Sequence, residues 1–97
     1  MSASERPKLD VRLRSRRVQR ELRALHEPDH RRVLSALRAL AGEPMPPGCE
    51  KLDDVYRVRV GDWRIIYMVN EQFHRIEVGA IRRRSERTYK GIEDLFQ

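Results

Sequence analysis

The chain has 97 residues, 21 Lys and Arg against 15 Asp and Glu, and a net charge of +6. That length supports one modest core and excludes two independent ones. The single Cys49 excludes an internal disulfide and any cysteine-based zinc site. No apolar run approaches the roughly 20 residues of a membrane span. Arg dominates the cations, and guanidinium pairs bidentately with phosphate and carboxylate, so nucleic acid is the first class of partner to consider. Residues 1–8 carry no hydrophobic signal region and are expected to form a loose tail, with one domain over 9–97 and a reduced cytoplasm as its compartment.

Leu9, Val11 and Leu13 alternate with Asp10, Arg12 and Arg14, which predicts a short first strand. Ser15 suits an N-cap. Val18, Leu22 and Leu25 then form a narrow apolar stripe at helical spacing. Glu27-Pro28-Asp29 breaks the chain and starts a second helix whose stripe is Val33, Leu34, Leu37, Leu40 and Ala41. Gly42 suits the position just past its end. The two helices are expected to pair antiparallel and cover one face of a sheet. Residues 43–48, EPMPPG, are too proline-rich for helix or central strand and predict a stiff loop.

The most informative stretch is 55–70, VYRVRVGDWRIIYMVN. Two alternating runs flank Gly61-Asp62, and Gly at the first central position of a two-residue turn takes positive φ without strain. The resulting register sets Val60 opposite Trp63, Arg59 opposite Arg64, Val58 opposite Ile65 and Arg57 opposite Ile66. One face collects Tyr56, Val58, Val60, Trp63, Ile65 and Tyr67, a core face. The other collects Arg57, Arg59 and Arg64, with Ile66 and Met68 beside them. Like charges directly opposite each other destabilise a sheet, so this face is expected to hold something anionic. Residues 71–74 predict a turn. Ile76, Val78 and Ala80 alternate with Arg75, Glu77 and Gly79 in a last strand ending near Ile81. Ser85 caps an expected final helix carrying Tyr89, Ile92, Leu95 and Phe96, weakened by Gly91. Glu77 is the one carboxylate expected on the arginine face. His26, His30 and His74 lack ligand spacing, so no metal and no cofactor are expected.

The order of these elements is β-α-α-β-β-β-α, an α+β fold with a small antiparallel sheet, a helical hairpin on one face, and an open basic face opposite. This order, together with the pattern YRVRVGDWRIIY at 56–67 and the basic segment 82–84 before Tyr89, resembles the RelE/ParE superfamily of type II toxins. The resemblance spans about 9–89 and implies that the first strand lies alongside the last ones.

RelE-type toxins cut messenger RNA in the ribosomal A site by attack of a 2′-hydroxyl on the adjacent phosphate. The resemblance implies catalytic roles for Arg59, Arg64, Arg83 and Tyr89, and RNA contacts by Arg57, Arg82, Arg84 and Lys51. Arg64 and Arg83 would clamp the scissile phosphate. Arg57 would steer the neighbouring phosphate, Arg59 would sit near the 2′-hydroxyl or the leaving oxygen, and Tyr89 would stack on a base. Many members carry Lys in the first-strand pair, whereas both positions here are Arg, which stays protonated and is a poor general base. The alternatives are a ParE-like inhibitor of DNA gyrase that acts by binding, and an inactive toxin that only binds its antitoxin. The implied partners are a cognate antitoxin protein, the ribosome and mRNA, with operator DNA reached only through the antitoxin complex and no membrane.

Overall fold

The structure, a computed structural model, describes residues 8–84 and Phe96. Five strands form one sheet in the order β1-β5-β4-β3-β2. These are β1 (Asp10–Leu13), β2 (Glu50–Leu52), β3 (Val55–Val60), β4 (Trp63–Asn70) and β5 (Arg75–Arg83). Helices α1 (Arg16–Arg23) and α2 (Asp29–Leu40) fall between β1 and β2. All neighbouring strands run antiparallel except β1, which pairs with β5 in parallel. Among the described residues no helix is long and apolar enough to cross a membrane. The expected final helix lies outside the described residues.

The central hairpin has the expected register, with Val60 opposite Trp63 and Arg59 opposite Arg64. Gly61 sits at φ 61° and Asp62 does not share that sign, the II′ pattern whose twist matches the flanking strands. Ser15 caps α1, its Oγ accepting from the Val18 N–H at 3.4 Å. At α2 the Glu27 carboxylate accepts from Arg31 N–H at 2.9 Å, satisfying a first-turn donor. Gly42 follows the helix but is not left-handed, so α2 ends without the expected glycine cap.

The main core lies between the helices and one sheet face. Val18, Leu25, Val33, Leu37 and Leu40 meet Ile65, Tyr67, Ile76, Val78 and Ile81. Tyr67 is fully buried and donates its hydroxyl to the Pro44 carbonyl at 2.7 Å, tying the proline loop to the sheet. Burial and the neighbouring Cys49 push its phenol well above its ordinary range, so it remains a neutral donor.

Four details depart from the sequence reading. Glu50–Leu52 is a strand of its own, turning into β3 through Asp53 at φ 56°. It was missed because three residues with one apolar side chain show no periodicity. Second, β5 carries a bulge: Ile66 faces Ala80 while the adjacent Tyr67 faces Val78, leaving Gly79 over. The predicted alternation therefore fails past Val78, with Ala80 turning to the face opposite the helices and Ile81 turning towards them. Third, the face opposite the helices is not wholly open. Val55, Ile66 and Ala80 form a second small core on it, with Leu52, Met68 and Phe96 packed against them. Gly79 makes room for Phe96, since a Cβ there would lie 2.5 Å from the ring.

The fourth departure concerns the far half of β5, which β1 leaves unpaired along one edge. Unpaired strand edges are a liability, and α1 covers this one with side chains. Arg17 donates to the Gly79 carbonyl at 2.7 Å, and Glu21 accepts from the Ile81 N–H at 2.9 Å. The same Glu21 carboxylate accepts from Arg17 at 2.8 Å and from Arg82 Nε at 3.0 Å. A stripe search reads α1 through its apolar positions and passes over this polar seam.

Because Ile66 is fully buried in the second core, Ile66→Ala should cost about 2–4 kcal/mol in urea unfolding. A truly open face would give a small fraction of that. Tyr67→Phe should cost about 1 kcal/mol by the same assay, since it orphans the Pro44 carbonyl.

Candidate functional site

The register places Arg57, Arg59 and Arg64 on the face opposite the helices, and Arg82 stands opposite Arg64 on β5. At the tip of the β3–β4 hairpin an open cleft of about 360 Å³ is lined by Asp62, Arg64, Arg83 and Arg84. The Arg84 N–H donates to the Asp62 carbonyl at 2.8 Å, fastening the end of β5 to the turn. Three guanidinium groups against one carboxylate make this cleft an anion site in chemical terms.

Arg83 reaches the cleft by a route the sequence did not suggest. It faces Trp63 across the ladder, on the helix side, and its guanidinium lies 5.0 Å from the indole centroid. The ring is itself held, with Nε1 donating to Asp29 at 3.0 Å at the start of α2. A cation over a fixed indole is stabilised by roughly 0.5–1 kcal/mol at an exposed site. The Gly79 bulge decides this register: it sets Arg82, not Arg83, opposite Arg64.

Arg57 is only 6 % exposed, and its Nη2 pairs with Glu50 Oε1 at 2.6 Å across the β2–β3 ladder. It lines the floor of the face beside Ile66, not its surface. Glu50 is thus the carboxylate that pairs with this arginine face. Its hydrogen bond and ion pair with Arg57 hold its carboxyl below the usual range, helped by Arg59 and Arg64. Glu77 was expected in this part, but pairs with Arg14 at 2.9 Å at the β1 end of the face. Glu50 could not be read as functional from sequence because the strand that aims it was itself missed.

Arg64 has its pKa lowered below the ordinary guanidinium value, first by burial and then by Arg57, Arg59 and Arg84. Each of these destabilises the charged form, and a bound anion would relieve all of them. Arg59 is exposed on the same face. Lys51 is exposed but stands opposite Tyr56, on the helix side, away from Arg59 and Arg64. Tyr89 lies outside the described residues. Among the described residues no group of three His, Cys, Asp or Glu side chains is placed to hold a metal ion.

The family model of the ParE toxin of type II toxin–antitoxin systems matches residues 12–88. The chain belongs to that toxin family. Among solved structures, the RelE–RelB complex of Pyrococcus horikoshii is similar at 28 % identity, over 82 % of this chain and 99 % of the other, with a TM-score of 0.69. The RelBE2 toxin–antitoxin complex of Mycobacterium tuberculosis shares 18 % identity over 79 % of this chain and 99 % of the other, with a TM-score of 0.70. The isolated RelE toxin of E. coli shares 16 % over 90 % of this chain and 95 % of the other, at 0.69. No curated protein matches the chain. The toxin is therefore RelE-like in fold, with β1 beside β5 as the resemblance implied.

The Glu50–Arg57 pair makes a pH-dependent contribution to this toxin's stability. Glu50 is lowered in the folded state, so its contribution is complete above the usual carboxylate range and is lost as pH falls through the lowered value. Glu50→Gln should therefore be less stable than wild type at neutral pH, and the two chemical-denaturation midpoints should converge in acid. A gap that persisted unchanged at low pH would remove the ion pair as its source.

Proposed function

We propose that the toxin is a ribosome-dependent mRNA endonuclease. The observation that supports this best is the cleft where Arg64, Arg83 and Arg84 converge at the hairpin tip, with Arg59 directly opposite Arg64. Attack of a 2′-hydroxyl on the adjacent phosphate places an added negative charge on the phosphorane, and fixed cations at that point lower the barrier. Arg64 and Arg83 clamp the scissile phosphate. Arg84 extends the clamp, and Arg59 lies towards the 2′-hydroxyl or the leaving oxygen. Arg57, buried and paired with Glu50, acts on the phosphate through the field of the face more than by contact. Tyr89 is assigned to base stacking from the family resemblance alone.

Proton transfer is the weak point of this site. Arg does not titrate near neutrality, and Glu50 is held in its charged form by Arg57 and is a weakened base. The reaction then relies on orientation and charge, with protons moved by water, Tyr89 or the ribosome. A cognate antitoxin is the expected partner, as in the RelE–RelB and RelBE2 complexes. It would neutralise the arginine face or displace the C-terminal segment that includes Phe96.

The match to the ParE family model favours a second reading, a gyrase inhibitor that acts by binding. Primer extension on a defined mRNA in programmed ribosomes separates the two. Wild type should give A-site cuts, and Arg64→Ala should lower their rate by about 10²–10³. Absence of cuts from folded protein, with inhibition of gyrase supercoiling, would establish the second reading instead.

A further inference from the structure

The arginines of the hairpin tip are not the last on this sheet face. At the opposite end of β5, a second cavity of about 240 Å³ is lined by Arg12, Leu13, Arg14, Arg75 and Glu77. Asp10, Arg12, Arg75 and Glu77 share the face that carries Arg59 and Arg64, by the β1–β5 and β4–β5 registers. Two of the cations are already engaged: Arg12 pairs with Asp10 at 2.6 Å and Arg14 with Glu77 at 2.9 Å. Arg75 is not. It makes no ion pair among the described residues, and its Nε is buried without a hydrogen-bond partner. A desolvated guanidinium donor with no acceptor is costly, and an anion in the cavity would satisfy it.

The same Arg75 lies 5.4 Å from the centroid of the Phe73 ring. Phe73 is 58 % exposed at the tip of the β4–β5 turn. The turn is fastened in place. Asn70 Oδ1 accepts from the Phe73 N–H at 3.2 Å, and the His74 carbonyl accepts from the Asp10 N–H at 2.9 Å. An exposed ring on a pinned turn, beside an arginine with an unfilled donor, is the pairing that single-stranded nucleic acid uses: a base on the ring and its phosphate on the cation.

We propose that Arg75 and Phe73 form a second RNA contact, taking a backbone phosphate in the cavity and a base on the ring. It rests on the RNA reading above and extends it. The nine residues of β5 span roughly 30 Å at ~3.3 Å each. The two contacts therefore hold one strand at separated points, and the far one sets affinity and direction without touching the scissile bond.

Fluorescence anisotropy with a short labelled polyuridylate, over a range of salt, tests this. Arg75→Ala should weaken binding and reduce the slope of log K against log salt by roughly 0.7, the loss of one phosphate contact on a single strand. Phe73→Ala should weaken binding at least about fivefold and leave the slope unchanged, because it removes stacking and no charge. Phe73 is exposed, so that variant folds whatever happens to Arg75, and thermal midpoints check both. If both variants bind as wild type does while Arg64→Ala is weakened, the second contact is wrong and the RNA reading stands. If wild type binds no RNA, both fall together. If Arg75→Ala loses affinity only for polyglutamate, the cavity serves an acidic protein segment and the proposal is overturned.

Discussion

Gly61 closes β3 on β4 with two residues and no slack, and every side chain of the sheet is placed by that closure. Strand side chains alternate with a period of two, so a slip of one residue would exchange the faces. Val58, Ile65 and Tyr67 would turn to water and the arginines would turn under the helices. The positive φ that the turn demands at its first central residue excludes the slip at little cost only for glycine. The Gly79 bulge then re-phases β5. It returns Ile81 to the helix side and brings Arg82 opposite Arg64. Two glycines thus decide which arginines stand together.

Their company is unfavourable until something anionic arrives. Two unit charges ~8 Å apart repel by about 2 kcal/mol at an effective dielectric near 20. The fold offsets part of this with two carboxylates: Glu50, beside Arg57 on the same face, takes that arginine, and Glu21 on α1 takes Arg82. The second small core of Val55, Ile66 and Ala80 stabilises the floor on which the cations stand. Arg59, Arg83 and Arg84 enter none of the ion pairs formed among the described residues. The face is already charged and its cations are already gathered, which lowers the reorganisation a phosphate would have to drive on binding.

What was legible in the sequence followed strong periodicity. The hairpin register, the helix stripes with Val18, Leu37 and Leu40, and the Ser15 cap all came from patterns several residues long. What was not legible came from single residues whose role is tertiary. Glu21 reads as one charge among several on α1, yet it accepts three hydrogen bonds along the β5 edge. The bulge hides because Gly79 fits an alternating strand as well as a broken one. Arg57 and Arg59 look equivalent in sequence, two residues apart on one face. Only the presence of β2 alongside the first buries it and leaves the other exposed, because β2 pairs no further along β3 than Arg57. The arginines at 82–84 are legible as a basic segment, but the bulge decides that Arg82 stands opposite Arg64 while Arg83 and Arg84 line the cleft.

An arginine site without a neutral base has a definite chemical character. Burial and the neighbouring arginines lower the pKa of Arg64, yet a guanidinium stays protonated across the neutral range. Stabilisation of a phosphorane by these groups is therefore insensitive to pH across the neutral range. On the nuclease reading, any pH dependence of turnover would come from the group that moves the 2′-hydroxyl proton, and Glu50 is drawn the wrong way for that task by the arginine it supports. Holding Arg57 as a buried floor residue engages Glu50, the carboxylate opposite it on β2. On the nuclease reading proposed above, such a site would align RNA by charge and orientation and leave the proton to water, Tyr89 or the ribosome.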